Sequence, residues 1–251
     1  MAEPLLSVRG LSRRFGGVVA TDGVDLDVAE GETLAVIGPN GAGKTTLIAQ
    51  LGGELAPDAG VIRFDGADVT ALPAPARSQR GLARSFQVTS IFREFTALDN
   101  VALAVQAHAG HSFRFWRRAR AERALREPAR AVLEQVGLGA RAEVPAGALA
   151  HGEQRQLELA LALATRPKLL LLDEPVAGMG PDESQRMVAL LRALRGRHTL
   201  VLVEHDMDVV FALADRICVI VYGRVIAVGA PAAIRANAEV RRAYLGEEVT
   251  A

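Results

Sequence analysis

The sequence predicts an α/β fold built on a mostly parallel core sheet, and three observations carry that reading. Lys168-Leu-Leu-Leu-Leu-Asp-Glu174 and Thr199-Leu-Val-Leu-Val-Glu204 are uninterrupted apolar runs, the pattern of strands buried on both faces. Helical stretches at Asp182–Leu194 and Asp206–Ala214 alternate with them, as parallel crossovers require. A third apolar strand, Thr33–Ile37, leads through a glycine-rich loop into a helical pattern from about Lys44 to Leu51.

Taken in order, Leu5–Phe15 reads as a strand containing a polar turn, and Val24–Val28 alternates apolar and polar residues. With Val61–Phe64, which ends at the Asp65-Gly66 turn, these segments predict antiparallel strands flanking the core. Leu72–Pro75 is a loop entering a short helix, and Gly81–Gln87 reads as another strand. Thr96–Val105 has helical periodicity, with Thr96 placed as an N-cap and Asp99 in the first turn. After Val136–Gly139 comes Leu149-Ala-His-Gly-Glu-Gln-Arg155, then a helical run through Thr165. Ile217–Val221 and Val225–Val228 read as strands around the Tyr222-Gly-Arg turn, and the tail from Pro231 is helical. Neither an internal repeat nor a low-complexity linker divides the chain. One domain is expected over 1–251, with 1–87 and 161–251 forming the core and 88–160 a helical insertion.

Composition narrows the class. Half of the 251 residues are hydrophobic and formal net charge is zero, which argues against strong non-specific attraction to nucleic acid. The single cysteine, Cys218, sits in an apolar run and is expected to be a buried small hydrophobe, and such sparse cysteine usage suits the cytosol. No apolar stretch approaches the roughly 18 residues of a membrane span, and Met-Ala-Glu-Pro lacks the features of a signal peptide. A soluble intracellular protein is the expectation. Arginines 114, 117, 118, 120, 123 and 126, beside Phe113, Phe115 and Trp116, form a basic, aromatic stretch. It is open to reading as a solvated helix face, a membrane-headgroup or membrane-partner contact, or a nucleic-acid contact.

The chemistry begins at Gly38-Pro39-Asn40-Gly41-Ala42-Gly43-Lys44-Thr45, a G-x-x-x-x-G-K-[ST] loop in its required strand–loop–helix setting. Glycines let backbone N–H groups crowd an anion, and the new helix points its positive end at it. Lys44, one of only two lysines in the chain, would reach the β/γ-phosphates of ATP, and the Thr45 hydroxyl would ligate Mg²⁺. Two carboxylates end the Lys168–Glu174 strand, where open α/β sheets bind ligands. In a chain with a phosphate loop, Asp173 is the natural Mg²⁺ partner and Glu174 the candidate base for a water. By themselves, Phe15 reads as a core aromatic, Gln87 as a surface residue at a strand end, and His205 as polar decoration. Gly152 and Glu153 at a helix start are a weak signal alone.

In combination and order, these segments make the chain resemble an ATPase subunit of the ABC-transporter family over nearly its whole length. Gly38–Thr46, including Thr46, then matches the Walker A loop, Gln87 the Q-loop, Leu149–Glu153 the signature, Leu169–Glu174 Walker B and His205 the switch histidine. The resemblance implies that Phe15 stacks on adenine, that Gln87 joins Thr45 and Asp173 around Mg²⁺, and that Ala150, Gly152 and Glu153 meet ATP held by a second subunit. Ser85-Phe-Gln87, Ile91-Phe-Arg-Glu94, Glu204-His-Asp-Met207 and Arg242-Ala-Tyr-Leu-Gly-Glu247 are similar to ATPases of branched-chain amino-acid importers. The Arg-rich stretch and Ala177-Gly-Met-Gly-Pro181 fit the longer of that importer's two ATPase types. Two departures stand out. Ala150 replaces a serine hydroxyl in the signature, and Gly180 stands where the D-loop usually has Asp or Asn.

As the resemblance implies, two such subunits would sandwich two ATPs head to tail, with Lys44, Thr45, Gln87, Asp173 and Mg²⁺ positioning the phosphates, Glu174 polarising the water and His205 steadying the γ-phosphate. Expected partners are a second ATPase subunit, itself or a paralogue, two polytopic permeases at the cytoplasmic face of the membrane, and indirectly an extracytoplasmic solute-binding protein. Specific nucleic-acid binding is not expected. Urea or amide importers, lipid or lipopolysaccharide exporters, and soluble ABC ATPases are the competing readings.

Overall fold

A computed structural model of the chain describes residues 3–85, 91–109 and 122–245. Its centre is a six-stranded sheet in the order β10-β9-β3-β8-β7-β6. The strands are β3 (Thr33–Ile37), β6 (Leu82–Arg84), β7 (Leu169–Asp173), β8 (Thr199–Val203), β9 (Arg216–Val221) and β10 (Arg224–Gly229). All neighbours run parallel except the β9–β10 hairpin.

The apolar runs are explained by two cores, one on each face. Ala35, Ile37, Leu170, Leu172, Leu200 and Leu202 enter one cluster, while Leu34, Val36, Leu169, Leu171, Val201 and Val203 enter the other. Alternate side chains of a strand point to opposite faces, so a polar residue at either parity would be buried without water. Cys218 is fully buried among these strands, and burial pushes its thiol up to about 12.

A second, antiparallel sheet packs on one face, in the order β2-β1-β4-β5, with β1 (Leu6–Phe15), β2 (Val18–Val28), β4 (Ala59–Phe64) and β5 (Ala67–Asp68). The polar turn expected within Leu5–Phe15 is absent. β1 is one continuous strand whose pairing with β2 slips after Val8, next to Gly10 at φ 60°. A β-bulge absorbs the glycine and the strand continues, which local composition does not distinguish from a turn.

On the opposite face lie α3 (Ala97–Ala109), α4 (Arg123–Gln135) and α5 (His151–Ala164). The Thr96 hydroxyl accepts from the Asp99 amide at 3.0 Å, as its N-cap assignment predicts. Arg126 on α4 pairs with Asp99 at 2.7 Å and with Glu143 at 3.3 Å, a structural contact that ties α4 to α3. Most of the Arg-rich stretch lies outside the described residues. Helices α1 (Lys44–Gly52), α2 (Ala74–Gln79), α6 (Pro181–Leu194), α7 (Met207–Leu213), α8 (Pro231–Ala236) and α9 (Ala238–Val240) complete the fold. Among the described residues, no helix is long and apolar enough to cross a membrane.

Candidate functional site

The phosphate loop leaves β3 and turns into α1 under tight constraint. A Cβ on Gly38 (φ 155°) would sit 2.0 Å from the Ile220 carbonyl oxygen, and one on Gly43 (φ 100°) 1.9 Å from that of Ala20. Only glycine fits either position, so the motif's spacing is set by packing against β9 and β2. The Gly223 amide, in the β9–β10 turn, donates to the Ala42 carbonyl at 2.9 Å and holds the loop from outside.

Lys44 closes the loop on itself. Its Nζ donates to the Gly38 carbonyl at 2.7 Å and the Pro39 carbonyl at 3.0 Å. Burial lowers the pKa of the ammonium, while Glu174 and Asp173 oppose that shift. A lysine ammonium beside a glycine-rich loop at a helix N-terminus is an arrangement that suits an anion such as a polyphosphate. Thr45 is exposed at the start of α1 and Thr46 half-buried beside it, while Asn40 and Gly41 face solvent.

Two strands away, β7 ends at Asp173. Its Oδ2 accepts from Arg84 of β6 at 3.1 Å, and Arg84 also pairs with Glu54. The other oxygen, Oδ1, is buried with no hydrogen-bond partner. Burial raises the Asp173 pKa, and Arg84 only partly offsets this. Glu174 follows in the left-handed region at φ 49°, a conformation that costs a non-glycine residue about 1–2 kcal/mol. It is held there by its amide, which donates to Val203 of β8 at 2.9 Å.

β8 lies between β3 and β7 and delivers His205. The His205 Nδ1 lies 3.6 Å from Glu174 Oε1, with the imidazole 62% exposed. Sheet order therefore gathers Lys44, Asp173, Glu174 and His205 at the carboxyl ends of three adjacent strands, although they span more than half of the chain.

The remaining sequence-derived residues fall elsewhere. Phe15 is 49% exposed at the end of β1, with the Arg13 guanidinium 5.1 Å from its ring centre, so it is not a core aromatic. Ala150 is the N-cap of α5 and Gly152 is buried in its first turn, against Glu183 of α6. Glu153 is engaged at its own helix start. Its carboxylate accepts from the Ala150 amide at 2.9 Å and from Arg141 at 2.9 Å, the latter holding its pKa down. Gln87 lies outside the described residues.

Sequence reasoning passed over Arg84 and the burial of Glu204. An arginine at the end of the strand beside an acidic strand end was the available sign of the first. For the second, it was a charged residue closing an apolar strand.

Residues 21–177 match the family model described as ABC transporter. The chain belongs to the ABC transporter family. As an ABC ATPase it binds and hydrolyses ATP. Residues 224–250 match a second model, described as branched-chain amino acid ATP-binding cassette transporter. The chain is 44% identical to the high-affinity branched-chain amino acid transport ATP-binding protein BraF of Pseudomonas aeruginosa, over 98% of this chain and all of that one. It is 40% identical to LivG of Escherichia coli K12, which bears the same description, with the same coverage. Among solved structures, the ADP conformation of MJ1267, an ATP-binding cassette of an ABC transporter, superposes with a TM-score of 0.85 at 28% identity. That match covers 98% of this ABC ATPase and all of MJ1267.

Proposed function

We propose that this ABC ATPase powers a branched-chain amino-acid importer, working as one of two ATPase subunits beneath two polytopic permeases supplied by an extracytoplasmic binding protein. The observation that carries the substrate class is full-length similarity to BraF and LivG, together with the matched C-terminal segment. The zero net charge gives no support to a nucleic-acid substrate.

The residues present fit Mg²⁺ with the nucleotide. Asp173 keeps one buried oxygen unpartnered, and a carboxylate with the exposed Thr45 hydroxyl is the kind of hard-oxygen donor set that ion takes. When bound, Mg²⁺ would neutralise phosphate charge; Thr45, Asp173 and Gln87 are the residues proposed to hold it. Lys44 would exchange its loop carbonyls for β/γ-phosphate oxygens, joined by the amides of residues 38 to 46. Glu174 would orient and polarise the attacking water, and His205 would hold the γ-phosphate from the adjacent strand. Phe15 is exposed in the manner an adenine platform needs. The helical part, roughly 88–160, would present the α5 N-terminus, with Ala150, Gly152 and Glu153, to ATP on a partner subunit. Peripheral attachment to the cytoplasmic face of the membrane follows from that assembly.

The test is a pull-down of tagged Glu174→Gln with ATP from detergent-solubilised membranes of the source organism, read by mass spectrometry. The variant is expected to bind ATP while hydrolysing it about a hundredfold or more slowly, so complexes persist. Recovery of two polytopic permeases supports the importer. Recovery of ribosomal, DNA-repair or lipid-export components overturns it.

A further inference from the structure

One charged group at the site's edge has no place in that scheme. Glu204, the residue after β8, is fully buried. Its Oε1 accepts from the Val176 amide at 3.3 Å and its Oε2 from the His205 amide at 3.1 Å, with the Asp206 amide a further donor. The partners given to it are backbone N–H groups of two different loops. Burying a carboxylate is unfavourable unless its lone pairs are used, and burial does raise the pKa of this one.

What those amides belong to gives the carboxylate its purpose. Val176 lies two residues after Glu174, in the turn leaving β7, and His205 opens the loop leaving β8. The preceding residue, Val203, accepts from the Glu174 amide at 2.9 Å. The last residue of β8 and the one after it thus grip the 174–176 turn at both ends, where Glu174 is held at φ 49°. Without that grip the turn could relax out of the left-handed conformation, and the 3.6 Å approach of Glu174 to His205 would be lost.

We propose that Glu204 is a positioning residue for hydrolysis, its two oxygens fastening the turn that carries Glu174 to the loop that carries His205. This rests on the hydrolytic roles proposed for those two residues. The chemistry distinguishes a carboxylate from its amide. Glutamine has nearly the same shape but one acceptor oxygen, and its NH₂ would face an amide donor.

The experiment compares full-length wild type, Glu204→Gln, Glu174→Gln, His205→Ala and the Glu204→Gln/His205→Ala double variant. Single-turnover ATP hydrolysis and equilibrium affinity for a non-hydrolysable ATP analogue are measured on each. Glu204→Gln is expected to slow hydrolysis about ten- to a hundredfold while affinity stays within about twofold. Added to His205→Ala, it should cost less than it does in wild type, since one of the two groups it brings together is gone. An unchanged rate in Glu204→Gln, or an undiminished further loss in the double variant, overturns the proposal. Full activity in both Glu174→Gln and His205→Ala would instead overturn the hydrolytic reading beneath it. Hydrogen exchange on the wild-type protein covers the case of a variant that does not fold. Protected Val176 and His205 amides support the two bonds, and exchange at free-peptide rates excludes them.

Discussion

Asp173 shows what a single residue gives up to be ready for a ligand. Its Oδ2 is paired with Arg84, yet Oδ1 is buried without a partner, and burial raises its pKa above the unfolded value. The sign follows directly. Folding favours the protonated carboxyl, so the stability it lends is complete below the unfolded value and is lost as pH rises through the folded one. At neutral pH the ion therefore weakens the unliganded fold. Asp173→Asn is expected to raise the melting temperature without nucleotide by about 2–4 °C, the change that about 1 kcal/mol makes in a chain of this size. Its stabilisation by ATP and Mg²⁺ should shrink toward zero. Calorimetry on both variants with and without ligand checks this, and a lower unliganded melting temperature would contradict it. The acid pair itself was readable from an apolar run ending in Asp-Glu. The Arg84–Glu54 support was not, since it joins β6 to the end of α1 across the sheet.

At the level of elements, α5 is an imperfectly capped helix. Glu153 makes its half of a capping box at 2.9 Å, while Ala150 has no side chain to bond the first turn. Ala150→Ser should supply the missing acceptor and raise stability by about 0.5–2 kcal/mol, or a few degrees in melting temperature. If α5 faces a partner's nucleotide, the same hydroxyl should raise ATP turnover, and steady-state ATPase measurements on the variant read that separately. A cap gain without a turnover gain would remove Ala150 from the nucleotide contact. Helices and buried strands were largely legible because their periodicities, 3.6 and continuous, report burial directly. β1 was not. Gly10 and its polar neighbours look like a turn until β2 and β4 pair on either side of them.

For the whole molecule, the α5 N-terminus lies beside Glu183 and Gly178, while Lys44 and Asp173 follow and end strands of the central sheet. In the proposed head-to-tail pair the two would meet across subunits, so association should depend on nucleotide. Glu174→Gln is expected to sediment as a dimer with ATP and Mg²⁺ and as a monomer with ADP, by analytical ultracentrifugation. A nucleotide-independent state would break the link between closure and the γ-phosphate.

By itself the sequence determined the phosphate loop, the acidic strand end, the buried parallel strands and the family resemblance, because each is a local pattern of residue types at fixed spacing. Only the tertiary structure decided that β8 lies between β3 and β7, and so that His205 comes within 3.6 Å of Glu174. It alone showed the Phe15 ring half exposed, where the residue by itself would be read as core and only the family resemblance implied a ligand contact, and gave Glu204 its two amides. The reason is physical. Strand order and backbone-to-side-chain bonds between distant segments depend on how whole faces pack, and residue spacing along the chain carries no record of that.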